Sequence, residues 1–352
     1  MANTIIIIGQ GLCGTWLSYW LQQSGASVLV IDEQKPNTAS RVASGIINPV
    51  TGRRTAKTWL ADELIPFAHK AYEQLGGELG LSLIEQTSIL DFFSAPDRRL
   101  SFEKRAEQFE TFLNWPEDEQ DQRHYFDYPF GYGIISPAYR VEVQSMLQHW
   151  RKHLLEDGSL VEEKFENDLL AIHENSISYK SIEASHIIFC DGVAAMQQPY
   201  FNLLPFAINK GEALIVSIPG LPTNCIYKKT NTIAPWHDDL FWVGSSYDRD
   251  FTDDQPSDLF RKQTEAWLKH FLKIPFTIED HVASLRPTTV ERRPFAGLHP
   301  QHPSIGILNG MGTKGVSLAP FIAKQLCDHL LHQKPLMADV DVRNYSRVLQ
   351  RV

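Results

Sequence analysis

Cysteine is scarce in this sequence: four residues in 352, at Cys13, Cys190, Cys225 and Cys327. None belongs to a C-x-x-C pair and their spacings match no zinc pattern, which argues against a disulfide framework and a thiolate metal site. Unpaired thiols are typical of a reducing compartment, so we expect a cytoplasmic protein. Among the 13 histidines, the nearest to clusters are His237-Asp238-Asp239 and His299 with His302. Neither has H-x-x-x-H spacing or an obvious third ligand, and we therefore expect no bound metal.

An excess of positive charge and long apolar runs are missing as well. The formal net charge is −9, which disfavours broad contact with nucleic acid because such contact needs clustered Lys and Arg. No window holds the roughly 18 apolar residues of a membrane helix. The apolar run Ile5–Ile8 ends at Gly9 without a basic segment before it, so we expect no signal peptide. A G-x-S-x-G elbow is also absent, and covalent hydrolase chemistry is not supported.

Hydrophobic periodicity predicts a chain of two kinds of segment. Residues 4–8, 12–23 and 28–31 indicate a βαβ unit, with further buried strands at 185–190 and 305–309. Helical patterns cover residues 58–79, 141–155, 257–272 and 316–331. From about residue 211 the pattern changes to strands of the antiparallel type, at 212–218, 223–227 and 240–245. This order predicts an α/β fold (α+β overall), with a doubly wound, Rossmann-like domain of discontinuous segments and a mixed, largely antiparallel β domain.

Two Gly-x-Gly-x-x-Gly loops stand at opposite ends of the chain. In the first, Gly9 permits a tight turn, Gly11 lets the backbone approach a pyrophosphate, and Gly14 lets helix and strand pack closely. The helix that follows offers free N–H groups to phosphate. An acid at the end of the second strand should bind the adenosine ribose. Asp32 has that position, and the neighbouring Glu33 is the alternative.

The second loop, Gly310–Gly315, has the same spacing but no acid-bearing strand behind it. A second dinucleotide is therefore not expected here. The start of the final helix still favours negative charge, and Lys314 would add to it. A reduced flavin carries such charge at N1 and C2=O. Together the two loops favour FAD over a nicotinamide.

These motifs resemble those of the D-amino-acid oxidase-like family of FAD-dependent oxidoreductases, which includes glycine oxidase and sarcosine oxidase. Besides the two loops, residues 43–49 (Ala-Ser-Gly-Ile-Ile-Asn-Pro) resemble its second flavin-contacting loop. Residues 285–289 and 293–297 are similar to its arginine-containing segment. The stretch Val243–Arg249 is similar to the FAD domain of the bifunctional enzyme that makes 5-methylaminomethyl-2-thiouridine in tRNA.

The resemblance implies noncovalent FAD, because no cysteine lies near the second loop, and a small amine or amino acid as substrate. Hydride would pass from the carbon next to nitrogen to flavin N5, giving an imine that hydrolyses. Arg286 would bind a substrate carboxylate, since its planar fork suits both oxygens. Lys314 and Tyr247 are the other candidate catalytic residues. The implied cofactor contacts are Gly9, Gly11, Leu12, Cys13, Gly14, Asp32, Glu33, Ser44, Gly45, Ile46, Asn48, Phe165, Asp191, Gly192, Gly310, Met311, Gly312, Thr313, Lys314 and Gly315.

The order of segments then assigns residues 1–75, 137–202 and 283–352 to an FAD-binding domain and 76–136 and 203–282 to a substrate domain. Two positions depart from the family pattern. Thr232 stands where amino-acid-oxidising members often have tyrosine, and Asp191 where relatives often have a small apolar residue. Two alternatives stay open: a tRNA wobble-uridine-modifying FAD oxidase, with tRNA as partner, and an FAD-binding protein without turnover. No oligomeric state is predicted.

Overall fold

The structure is a computed structural model that describes residues 4–52, 54–109 and 111–350. Its α-helices are α1 (Leu12–Gln23), α2 (Ala61–Leu79), α3 (Pro96–Ala106), α4 (Val143–Glu156), α5 (Asp258–Phe271), α6 (Gly315–His332) and α7 (Ser346–Leu349). Short 3-10 helices lie at Asp121–His124, Asn167–Leu169, Gly192–Gln197, Gly312–Lys314, Ala338–Val340 and Val342–Tyr345. Within these ranges no helix combines the length and apolar character needed to cross a membrane.

The first thirteen strands are β1 (Ile5–Ile8), β2 (Val28–Ile31), β3 (Ile46–Ile47), β4 (Val50–Thr51), β5 (Ala56–Lys57), β6 (Ile84–Phe92), β7 (Leu113–Asn114), β8 (Tyr132–Val141), β9 (Leu160–Val161), β10 (Leu170–Ile172), β11 (Ile177–Tyr179), β12 (Ile182–Ala184) and β13 (His186–Phe189). The remaining strands are β14 (Asn209–Ser217), β15 (Ile226–Lys228), β16 (Thr232–Pro235), β17 (Leu240–Gly244), β18 (Thr277–Arg286), β19 (Phe295–Leu298) and β20 (Ile305–Asn309).

A six-stranded sheet in the order β19-β20-β13-β1-β2-β9 carries the predicted βαβ unit. β1 runs parallel to β13 on one side and to β2 on the other, with Ile5 opposite both His186 and Val28. All four residues of β1 are buried, as expected for a continuous β-branched run in a parallel sheet. Helix α1 has the predicted bounds, and the Rossmann-like expectation is confirmed.

The second large sheet has nine strands, eight of them in the order β18-β14-β17-β16-β15-β6-β8-β3, with β7 on β8. Its pairs are antiparallel except β15 with β6, which is parallel. Mixed, largely antiparallel β structure was predicted for this part. The division into two domains at the predicted bounds stays a prediction. Helix α3 ends at Ala106.

Packing between α1 and α6 brings the two ends of the chain together. Trp20 Nε1 donates a hydrogen bond to the carbonyl of Pro320 at 2.9 Å, and Tyr72 OH donates one to the carbonyl of Val316 at 2.9 Å. Trp16, 0% exposed, lies edge-on to Tyr72 with ring centroids 4.9 Å apart. Buried aromatic contacts of this kind stabilise more than their area alone. Both glycine loops lie at the same edge of the six-stranded sheet, because β1 and β20 run in the same direction.

Candidate cofactor and substrate site

A cavity of about 500 Å³ lies between the two large sheets and is lined by both glycine loops. The predicted residues in its wall are Gly9, Gly11, Leu12, Cys13, Asp32, Glu33, Ser44, Gly45, Ile46, Phe165, Asp191, Gly192, Arg286, Met311, Gly312, Thr313 and Gly315. The predicted residues that are not in the wall are Gly14, Asn48, Tyr247, Gly310 and Lys314. The structure thus brings together segments that are up to three hundred residues apart in the chain.

Two glycines of the first loop, Gly9 and Gly14, leave no room for a side chain. A Cβ on Gly9, whose φ is +97°, would lie 2.7 Å from the carbonyl oxygen of Cys190, and one on Gly14 would lie 1.8 Å from that of Gly9. A Cβ on Gly11 would lie 2.9 Å from Ser40 Oγ. Gly14 therefore shapes the turn itself, while Gly11 keeps clear the space in front of α1.

Ser40 lies at the start of α1, although it is far away in sequence. Its Oγ accepts a hydrogen bond from the backbone N–H of Leu12 at 3.0 Å, so it satisfies one of the free donors at this helix end. No sequence pattern indicated this contact, because a capping residue normally directly precedes its helix. Ser40 also lines the cavity.

Asp32 is held from three directions. Its Oδ2 accepts from the backbone N–H of Gln10 at 2.8 Å, and its Oδ1 accepts from the N–H of Gln34 at 2.9 Å. Arg151 on α4 donates to Oδ1 at 2.7 Å and also contacts Glu162 at 2.9 Å. The carboxylate is fixed at the cavity wall, at the end of β2 where a ribose hydroxyl is expected. The neighbouring Glu33 pairs with Lys35 instead.

Asp191 is the acid at the end of β13, in the cavity wall. Its Oδ2 accepts from Gln198 Nε2 at 3.1 Å and its Oδ1 from Asn309 Nδ2 at 3.3 Å. Burial raises the pKa of Asp191 to about 7, and the hydrogen bonds from Gln198 and Asn309 oppose that rise. Asn309 also accepts from the N–H of Gly310 at 2.8 Å. It thereby links the ends of two parallel strands to the second glycine loop.

The second glycine loop packs on the segment after β18. The N–H of Gly312 donates to the carbonyl of Pro287 at 3.0 Å, and a Cβ on Gly312 would lie 2.6 Å from Thr288 Cγ2. Gly315 begins α6 and lines the cavity. The neighbouring Lys314 is half-buried outside the cavity wall. Burial of its amine lowers the pKa of Lys314 to about 8, and the charge of Lys228 adds to this.

Arg286 is a half-buried cation in the cavity wall. Its Nη1 donates to Asn209 Oδ1 at 3.0 Å and to the carbonyl of Ser246 at 3.0 Å. Its guanidinium covers Gly211, where a Cβ would come within 1.8 Å of Nη2. In the described part of the chain it forms no ion pair with a carboxylate. Burial lowers the pKa of Arg286, whereas nearby Tyr247 acts to raise it.

The loop that precedes Ser44 is tied to other elements by side chains that the sequence did not single out as contacts. Trp242 Nε1 on β17 donates to the carbonyl of Val42 at 3.1 Å. Gln144 Nε2 on α4 donates to the carbonyl of Arg41 at 2.8 Å. Trp242 lines the cavity. Asn48 is a turn residue here, since its Oδ1 accepts from the N–H of Val50 at 3.0 Å.

The residues of the cavity fit a dinucleotide such as FAD. The space that a Cβ on Gly11 would fill adjoins the N-terminus of α1, where backbone donors favour phosphate. Asp32 would provide the acceptor for a ribose, and the start of α6 faces the same cavity. Among the described residues, no cluster of three or more His, Cys, Asp or Glu side chains is arranged to hold a metal ion.

Comparison with known proteins agrees with this geometry. The chain is 25% identical to glycine oxidase of Bacillus licheniformis over 93% of this chain and 92% of that protein. Its fold is similar to iminodiacetate oxidase of Chelativorans sp. BNC1 (TM-score 0.80, 19% identity, 98% of each chain covered). It is also similar to glycine oxidase of Geobacillus kaustophilus (TM-score 0.79, 15% identity, 96% of each chain covered). The family model for the DAO FAD-dependent oxidoreductases matches residues 4–329. The chain therefore belongs to the DAO family of FAD-dependent oxidoreductases.

Proposed function

We propose that this enzyme oxidises the carbon–nitrogen bond of a small amine or amino acid that carries a carboxylate. The observation that carries the proposal is Arg286, a cation in the cavity wall without a carboxylate partner among the described residues. Removing a charge from water costs free energy unless a partner compensates it. A substrate carboxylate would be that partner.

In this proposal Arg286 binds the substrate carboxylate, and Asn209 and Ser246 hold Arg286 in place. Arg286 Nη2 has no hydrogen bond to another described residue, so one arm of the fork is available to the substrate. Asn209 and Ser246 hold the other arm and fix the plane of the guanidinium. A fixed fork orients a planar carboxylate in two dimensions, which a lysine ammonium cannot do. Orientation of this kind is a main source of rate enhancement.

Apolar side chains form part of the remaining wall. Trp242, Val282, Leu285 and Met311 line the cavity and would exclude water from the reacting carbon. The start of α6 would stabilise negative charge that develops near it. When bound, FAD supplies the two-electron acceptor for the hydride on the carbon next to nitrogen, which turns the amine into an imine.

The named compounds of two similar proteins support a carboxylate-bearing amine. Glycine and iminodiacetate, which appear in the names of glycine oxidase and iminodiacetate oxidase, each join an amine to at least one carboxylate. Thr232 marks a difference from the amino-acid-oxidising pattern, and it is not part of the cavity wall. Because of this difference at Thr232, we extend the proposal to amino acids with a substituted nitrogen.

An anaerobic screen with paired compounds tests the proposal. The FAD-loaded enzyme is mixed with glycine or methylamine, with N-methylglycine or dimethylamine, and with iminodiacetate or diethylamine, and loss of the oxidised flavin absorbance is followed. We expect bleaching by at least one carboxylate-bearing member and slower bleaching by its partner. Equal bleaching by both members of each pair would contradict the role of Arg286. Absence of bleaching with every compound of a wider amine screen would favour FAD binding without turnover.

A second candidate is oxidation of a modified wobble uridine in tRNA. Tyr247 is 49% exposed, and the guanidinium of Arg249 lies 5.6 Å from the centroid of its ring. Exposed aromatic and arginine side chains are the types that stack on unpaired bases. Nucleoside profiles of tRNA from cells with and without the gene test this, and unchanged wobble uridines would exclude it.

We further propose a cytoplasmic location, because all four cysteines are free thiols.

A further inference from the structure

We propose that Asp191 holds FAD as a neutral carboxylic acid, so that cofactor binding takes up a proton and weakens as the pH rises. This inference rests on FAD occupying the cavity described above. It concerns how this chain binds its cofactor and is independent of which amine is oxidised.

Asp191 lies directly against the phosphate-binding turn. The backbone N–H of Cys190 donates to the carbonyl of Ile8 at 2.8 Å, which aligns the ends of β13 and β1. A Cβ on Gly9 would lie 3.2 Å from the Cα of Asp191. Both residues line the cavity. Asp191 therefore stands beside the loop that receives a pyrophosphate in this kind of fold.

The groups around this carboxyl are uncharged. Its hydrogen-bond donors are the amides of Gln198, after the 3-10 helix Gly192–Gln197, and Asn309, at the end of β20. That 3-10 helix carries no charged residue. The titratable neighbours are Cys13 on α1 and Cys190 at the end of β13. Burial raises the pKa of Cys13 to about 12 and raises that of Cys190 as well, so both thiols stay neutral.

No cation in the described part of the chain forms an ion pair with Asp191. Its burial therefore has no compensating charge, and its pKa is raised to about 7. A pyrophosphate beside it adds negative charge, which favours the protonated form further. The neutral acid can donate its O–H to a phosphate oxygen, whereas the carboxylate would repel it. The proton comes from solvent, and no other bond is made or broken.

The proposal requires a pH-dependent affinity. In the pH range in which Asp191 has lost its proton in the FAD-free protein but keeps it in the FAD-bound protein, the FAD dissociation constant should rise with pH. The rise should be up to about tenfold per pH unit. Asp191→Asn keeps the shape and cannot ionise. Its affinity should stay nearly constant over the same range. Asp97→Asn changes an exposed carboxylate on α3 and has the same change in charge, so it should follow the unmodified protein.

Calorimetric titration of the apoprotein with FAD tests this, from about pH 6 to pH 9, in pairs of buffers with different ionisation enthalpies. We expect the unmodified protein to take up close to one proton near its apo pKa, and Asp191→Asn to take up almost none. If the unmodified protein gave the same heat of binding in both buffers of each pair, no proton would be taken up. This result would overturn the proposal, even if the variant failed to fold. A pH-independent dissociation constant would overturn it as well. Absence of FAD binding at every pH would instead contradict the cofactor site itself.

Discussion

Arg151 on α4 donates a 2.7 Å hydrogen bond to the carboxylate of Asp32 at the end of β2. The guanidinium is almost fully buried, and it also contacts the carbonyl of Asp32 at 3.3 Å and Glu162 at 2.9 Å. A buried fork of this kind fixes one orientation of the acid. The residue that we expect to bind the ribose is thus positioned by a helix far along the chain.

Replacing Arg151 by glutamine should affect both stability and cofactor affinity. Loss of the ion pair leaves Asp32 with only its backbone donors. We expect the free energy of unfolding to fall by about 2 kcal/mol, the scale of a lost hydrogen bond to a charged group. Urea unfolding of the apoprotein measures this, and the FAD dissociation constant should rise in parallel. The matched control is Lys152→Gln, whose exposed side chain lies 3.7 Å from Glu156. If Lys152→Gln lowered the free energy of unfolding as much as Arg151→Gln, the role of Arg151 would be contradicted.

Replacing Arg286 by alanine should weaken binding of carboxylate-bearing substrates by roughly 2–5 kcal/mol, the cost of truncating one partner of a buried charge pair. FAD content should be unchanged. The loss should be much smaller for the matching amine without a carboxylate. Arg292→Ala, at an exposed position nearby, is the control and should bind both compounds normally. A variant that loses its flavin would instead identify Arg286 as structural.

Substitutions in the first glycine loop should separate loss of FAD binding from loss of stability. Gly11→Val places a side chain against Ser40 and into the space before α1, so we expect a folded apoprotein that no longer binds FAD. Gly14→Ala places a Cβ within 1.8 Å of the Gly9 carbonyl, so the turn itself must move and stability should fall. Thermal unfolding and flavin absorbance distinguish the two. A Gly11→Val variant that binds FAD normally would show that phosphate does not approach there.

Lys314 gives a pH dependence whose sign follows from its lowered pKa. Burial lowers the pKa of Lys314 to about 8 in the folded protein, below the ordinary value of 10.5 that applies to the unfolded chain. The charged amine therefore destabilises the fold below pH 8, and this cost is removed as the pH rises towards 10.5. Lys314→Met should raise apoprotein stability at neutral pH, and the gain should shrink at alkaline pH. Lys324→Met, which removes a half-exposed surface ion pair, should show no such gain.

Local patterns in the sequence predicted much of the cofactor half. The strand at residues 5–8 and helix α1 were predicted because an apolar run, a glycine turn and an amphipathic face follow each other within a few residues. Strands β6 and β18 were not predicted. Both are partly exposed along much of their length, so their hydrophobic alternation is weak. They are stabilised by long pairings with β8 and β14, which no local window contains.

In the site too, residues of a local motif could be predicted, whereas residues that act through contacts distant in sequence could not. The glycines and Asp32 belong to a motif with fixed spacing, and the structure brings most of them to one cavity. Ser40 and Arg151 are 28 and 119 positions away from the residues they contact, and neither belongs to a motif. Asn309 could have been suspected, as a polar residue that ends a buried strand next to a glycine loop. Roles for Tyr247 and Lys314 in catalysis stay predictions.

The contact between α1 and α6 has a consequence for biosynthesis. One wall of the cavity comes from the first glycine loop and another from the loop that follows β20. During translation the first wall emerges early, whereas the second does not exist until residues beyond 315 have been made. A ribosome-bound chain that stops before β20 therefore lacks the closing wall, and we expect the apoprotein to acquire its flavin only after that segment has been synthesised and folded.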